Sequence, residues 1–334
     1  MYVPTGAAVT TLDASNASSK AAVAKRLERS DATFRWVTWA AAFFVLLTFI
    51  GMFVALLDGA YPALRKFGLN FFVTSNWNPV TEKFGILHQI YGTLVTSAIA
   101  MLIATPIGIG IAVFLTELCP RPLRRPIGTA IELLAGIPSI IYGIWGLFVF
   151  APFFQHTLQP WIIDALGDIP GLSQLFAGPP FGVGIFTASL ILAIMILPLI
   201  SSLTRDVFDI VPPVLKEAAY GLGCTVSEVT TRVVMPYARQ GVVGASMLAL
   251  GRALGETMAV TFVIGNANKI SVSLFAPGTT ISAAIANEFS EAVGDLYLSA
   301  LLAGGLFLMF ITFVVLAAAQ LMLGGVARRA GAGN

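Results

Sequence analysis

Of the 334 residues, 57% are hydrophobic and only 11% are charged, and the mean hydropathy is +0.86. So little charge cannot clothe a water-soluble globule of this length, which excludes soluble enzymes and soluble binding modules and leaves an all-α polytopic membrane protein. The net charge of +2 says little as a sum. The placement of the basic residues says more, because retained cytoplasmic loops are enriched in Lys and Arg.

Residues 1–33 are rich in Ala, Ser and Thr with a basic stretch at Lys25, Arg26 and Arg29. A disordered cytoplasmic tail carrying a short surface-lying helix is expected there. No cleavable signal is expected, because the first apolar run begins only after about thirty residues and is long enough to remain as a span. A transmembrane domain is expected over 34–325, with a second cytoplasmic tail at 326–334. Within that domain six stretches are long and apolar enough to cross, at 36–57, 90–118, 127–154, 183–203, 241–265 and 296–323.

After the first span, residues 58–88 mix aromatics with polar and turn residues, among them Phe71, Phe72, Trp77 and Pro79. A loop of that length is expected to fold against the outer mouth, within reach of a soluble partner. Spans two to four contain Pro106, Pro138 and Pro198, each of which removes a helix hydrogen bond. At Gly136-Ile137-Pro138-Ser139 two readings stand, a helix broken beside a pathway or a kink that serves packing. Glu132 is expected to snorkel or cap near the cytoplasmic end. Residues 155–181, without a basic side chain, read as an outer turn region. Apolar residues at helical spacing over 279–293 predict a short amphipathic outer helix, a lid resting on the bundle.

Six spans put both termini on one side. If that side is the cytoplasm, fourteen basic residues lie inside: five before the first span, then Arg121, Arg124, Arg125, Arg205, Lys216, Arg232, Arg239, Arg328 and Arg329. Four lie outside: Arg65, Lys66, Lys83 and Lys269. The asymmetry orients the chain. Cys119 and Cys224 both fall in expected cytoplasmic loops, so no disulfide is expected, and no metal-ligand spacing occurs.

The fifth span carries Arg252 and Glu256 near its middle, where a charge is disfavoured by about 2.5 kcal/mol or more. Both should face protein or water. Four residues apart on a helix, they would share one face, within reach of each other or of a common ligand. A guanidinium keeps its charge in a low-dielectric site and holds two oxyanion oxygens at once. The acid beside it suits an anion that still carries hydroxyl groups, or else pairs with Arg252 when the site is empty; both roles stand. Gly251 and Gly255 permit close helix contact.

Between the fourth and fifth spans the chain reads Glu217-Ala218-Ala219, three residues, Gly223, nine residues, then Val233-Val234-Met235-Pro236. This resembles the EAA loop of ABC-type importer permeases, with Val for Ile and Met for Leu. A short helix of small residues ended by a glycine in a left-handed conformation suits insertion into a groove on a partner. The run Gly251-Arg252-Ala253-Leu254-Gly255-Glu256-Thr257-Met258-Ala259 is similar to the fifth-span signature of the PstC-type permeases of bacterial phosphate importers. Matching stretches occur at 132–139 and at 285–289, and the likeness covers roughly residues 68–323.

The resemblance implies a type I ABC importer permease fold in the plasma membrane, multi-pass, with both termini cytoplasmic. It implies phosphate as the ion moved, and as partners a related second permease (PstA-like), two ATPase subunits (PstB-like) and an external phosphate-binding protein (PstS-like). It makes Arg252 and Glu256, with Ser139 from the third span, the translocation residues. It makes Glu217, Ala218, Ala219, Gly223 and Pro236 the ATPase contact. No cofactor is expected in this chain, ATP and Mg being held by the ATPase, and beyond membrane lipid no further partner such as nucleic acid is expected. Three competing readings are a permease for another oxyanion or solute, a membrane enzyme and a passive channel. Against an enzyme stand the lack of a Walker A loop and of H-E-x-x-H, with His88 and His156 far apart in outer regions. Against a passive channel stands the docking loop, which an open pore does not need.

Overall fold

The computed structural model describes residues 6–331 apart from residue 168, with side chains over 31–321. The chain divides into two compact units, residues 1–58 and 59–334. Helix α1 (Gly6–Phe67) runs from the first into the second. The two terminal tails expected at 1–33 and 326–334 lie almost wholly outside the residues described with side chains.

Within the second unit, α2 (Leu87–Leu118) and α5 (Ile185–Asp209) form the central pair. Ala100, Ala104, Gly108 and Ala112 recur every four residues along α2 and are buried, a small-residue stripe that lets the two backbones approach. A methyl group at Gly108 would stand 2.8 Å from the Ile200 side chain of α5. In α5, two thirds of the apolar window is buried inside the protein, because α2 and the helices at 121–135 and 235–254 pack around it. Pro106 and Pro198 are accommodated inside continuous helices.

The third crossing departs from expectation. Residues 121–135 form a separate helix, α3 (Arg121–Ala135), and the crossing itself is α4 (Ser139–Leu166). Pro138 has no N–H to continue the ladder, and its extended ψ of 136° turns the chain between the two helices. The Tyr142 hydroxyl spans the break, donating to the Leu134 carbonyl at 2.9 Å. Charged α3 is tied to the C-terminal end of α5: Arg205 donates to Glu132 at 2.6 Å, and Arg124 pairs with Asp209. Glu132, half exposed, thus has an ion-pair partner one helix away. Helix α4 continues through two π turns around Pro152 to Leu166, so half of the expected outer turn region is helical.

Beyond α6 (Pro213–Gly221), the fifth crossing is also made in pieces. Helix α7 (Met235–Leu254) stops at Gly255, and a single turn, α8 (Met258–Thr261), follows. The chain then folds back along the N-terminal end of α5, with Gly184 donating to the Val263 carbonyl and Phe186 to the Leu274 carbonyl. Helix α9 (Ile281–Glu288) comes next, capped by the Thr280 hydroxyl, which accepts from the Ala283 N–H. It is shorter than expected, and its first turn, Ile281, Ser282, Ala283 and Ala284, is buried. Gly92 admits it, since a methyl group there would stand 1.9 Å from the Thr279 carbonyl oxygen.

The final helix, α10 (Asp295–Gly331), completes the unit. The loop after α1 packs on it as expected. Phe71, Phe84 and Trp77 cluster with Tyr297 and Phe307, and the Glu288 carboxylate accepts from both Trp77 Nε1 (2.7 Å) and the Tyr297 hydroxyl (2.6 Å).

Candidate functional site

Two places on this scaffold carry the sequence candidates. Between the fourth and fifth crossings, α6 starts on Pro212 and Pro213, whose fixed φ suits a helix start. It ends in a paired C-terminal motif: Gly223 N–H donates to the Tyr220 carbonyl and Cys224 N–H to the Ala219 carbonyl, with Gly223 at φ +85°. Glu217 and Ala218 are exposed while Ala219 is buried. That last alanine sits in an apolar cluster with Ala112 of α2, Phe208 of α5 and Ala238 of α7. One alanine thus holds the helix to the bundle and leaves its neighbours outward. Val214 and Leu222, the latter 86% exposed, add apolar area beside them. Thr225 and Glu228 form a capping box that opens the return toward α7. The Thr225 N–H, and then its hydroxyl, hold Glu228 below the usual carboxylate range. Pro236 is exposed at the second residue of α7.

The second place is the break in the fifth crossing. Arg252 lies in the last turn of α7, where a cation complements the helix dipole, and its side chain is exposed. Glu256 lies past the end of that helix and is 9% exposed. The two therefore do not share one helical face, and among the described residues no ion pair joins them. Gly255, at φ −92° and ψ 2°, ends the helix between them. Glu256 is instead a local brace. One carboxylate oxygen accepts from the Ala259 N–H at 3.1 Å, capping α8, and its carbonyl accepts from the Ser282 hydroxyl of α9 at 2.6 Å.

The two broken helices meet at this level. A methyl group at Gly143 would stand 2.9 Å from the Met258 carbonyl, so α4 and α8 pack backbone to backbone. Tyr142 and Ala253, the residue after Arg252, belong to one buried apolar cluster with Ala259 of α8, and Ile137 packs against it. Ser139, half-buried, opens α4 one turn before Tyr142. The structure thus brings the Pro138 break and the break in the fifth crossing together, though they are more than a hundred residues apart in sequence. Sequence reasoning missed Tyr142, Ser282 and the pairs Arg205–Glu132 and Lys216–Glu117. For Tyr142 and Ser282 the signal was a polar residue among apolar ones, and for the pairs a charged residue, neither of which reveals its partner.

A helical membrane protein with a short exposed helix between two crossings and an exposed guanidinium at a broken span has the architecture of a transport permease. The family of binding-protein-dependent transport system inner membrane components matches residues 104–328, and the chain belongs to that family. It is 65% identical to a phosphate transport system permease protein PstC of Mesorhizobium japonicum over 94% of this chain and 96% of that one. To a probable permease of the same name from Methanocaldococcus jannaschii it is 37% identical, over 87% and 93%. Among solved structures, a bacterial alginate ABC transporter in complex with its alginate pentasaccharide-bound periplasmic protein is similar, with a TM-score of 0.59 at 19% identity, covering 88% of this chain and 96% of that one. The fold is that of a type I ABC importer permease, and the protein is a multi-pass transport subunit.

Proposed function

We infer that this chain is the permease subunit of an ATP-driven importer that moves inorganic phosphate across the bacterial plasma membrane. The observation that carries the reading is the 65% identity, maintained along nearly the whole chain, to a phosphate transport permease. The exposed Arg252 at the broken fifth crossing supports it, because a guanidinium offers paired donors to an oxyanion. Arg252 is the anion ligand in this reading, with Ser139 lining the same opening. Glu256 shapes the opening by capping α8, and this favours a bracing role over an ion pair with Arg252.

Glu217, Ala218, Gly223, Pro236 and the exposed apolar residues beside them form the surface that enters a groove on an ATPase subunit, with buried Ala219 holding α6 to the bundle. ATP and Mg belong to that partner. The remaining partners are a related second permease (PstA-like), a second copy of the ATPase (PstB-like) and an external phosphate-binding protein (PstS-like). The test is uptake of radiolabelled phosphate into proteoliposomes holding the co-expressed complex. Uptake should require ATP inside the assembly and the external binding protein, and should resist excess sulfate. Uptake that runs without ATP, or that sulfate abolishes, sinks the phosphate-importer reading.

Both termini are cytoplasmic in this reading, so the α6 surface faces the cytoplasm and α9 the outside. In a variant with Cys119 and Cys224 replaced by Ser, a cysteine at exposed Ser290 is expected to react with an impermeant thiol reagent added to sealed cells, and one at exposed Ser227 is not. Labelling at Ser227 alone would invert the orientation.

A further inference from the structure

An enclosed ion pair joins the docking helix to the second crossing. Lys216 stands one residue before Glu217 on α6, and its ammonium donates at 2.7 Å to the carboxylate of Glu117, in the π turn Phe114–Leu118 that closes α2. The two side chains are only 20% and 7% exposed, the most enclosed pair among the described residues. Among those residues it is also the one side-chain hydrogen bond or ion pair between α6 and a membrane-crossing helix.

What else holds α6 to the bundle is the apolar cluster around Ala219. Apolar contact is non-directional and lets one helix slide on another. A short charge-assisted hydrogen bond sets both distance and direction. Its far end is the last turn of α2, whose small-residue stripe packs along α5. A displacement of α6 that pulls on Lys216 is thereby applied to the central helix pair.

We propose that Lys216 and Glu117 are positioning residues for transport, the link through which movement of the docking helix reaches the second crossing. This deepens the permease reading and rests on it. Lys216→Met combined with Glu117→Gln removes both charges together and leaves no enclosed charge without a partner. Membrane insertion and co-purification of the ATPase subunit should therefore persist. Phosphate uptake into proteoliposomes should fall about tenfold, a usual size for coupling between sites, and ATP hydrolysed per phosphate moved should rise by a similar factor. Lys216→Glu with Glu117→Lys rebuilds the pair in reverse and should bring that ratio back to within about threefold of wild type.

An unchanged ratio in the neutral pair would overturn the proposal. So would its absence from the membrane, a loss of uptake that follows loss of the ATPase subunit, or an assembled charge-reversed pair that does not regain the ratio. The wild-type complex measured alongside separates the two readings. If it moves no phosphate, the phosphate reading fails by itself. The pair is then judged by whether the external binding protein still stimulates ATP hydrolysis in the neutral variant as it does in wild type.

Discussion

Phosphate uptake is expected to stay lost when Arg252 and Glu256 are exchanged, by Arg252→Glu together with Glu256→Arg, although each charge is formally retained. If the two residues were a structural ion pair on one helix face, reversal would rebuild the contact and much of the transport would return. They are not so arranged. Arg252 ends α7 with an exposed guanidinium, while Glu256 lies beyond Gly255 and caps α8 through the Ala259 N–H. Reversal replaces a candidate anion ligand with a repelling carboxylate, and it puts at position 256 a side chain that can only donate where an acceptor is needed. Losing a hydrogen-bonded charge from such a site costs about 3 kcal/mol, roughly a hundredfold in rate.

The two positions should also respond differently to conservative change. Arg252→Lys keeps the charge but loses the fork and should be clearly impaired. Glu256→Gln keeps an oxygen that accepts from Ala259 and should transport better than Glu256→Ala. Near-normal uptake in the reversed variant, with the complex assembled, would end the direct-ligand role of Arg252.

Gly223→Asp is expected to abolish uptake while the permease remains inserted. Gly223 holds φ at +85° and closes α6 with its paired hydrogen bonds. A side chain in this left-handed region costs about 1–2 kcal/mol, less for Asn and Asp, which hydrogen-bond locally. A Cβ here meets nothing within 4 Å, so crowding inside the permease adds no further penalty. What Asp adds is a charge and bulk on the face proposed to dock. Gly223→Asn, of the same shape without the charge, should therefore be only partly impaired, by about tenfold or less if its cost stays near 1 kcal/mol. The Asp variant should release the ATPase subunit on purification or lose substrate-stimulated hydrolysis. Normal stimulated hydrolysis in Gly223→Asp would show that this turn does not couple the two subunits.

The membrane class, most of the span regions and the glycine-ended helix α6 were legible in the sequence because each depends on local composition. About twenty apolar residues in a row have few alternatives to crossing a bilayer, and a glycine at the right offset ends a helix whatever surrounds it. The breaks were only half legible. Pro138 marked one, because a missing N–H is a property of the residue itself. Gly255 did not mark the other, since glycine within an apolar run is equally a packing residue, and whether α7 continues past it depends on what receives Glu256.

That receiver is α9, folded back so that Ser282 meets the Glu256 carbonyl, a contact set by the close approach of Thr279 to Gly92. The same holds for Glu132 with Arg205 and for Lys216 with Glu117, whose partners lie 73 and 99 residues away. A charge in a membrane protein announces that it needs a partner, because leaving it without one is costly. Only the packing of α2, α3, α5 and α6 decides which partner stands within a hydrogen bond of it.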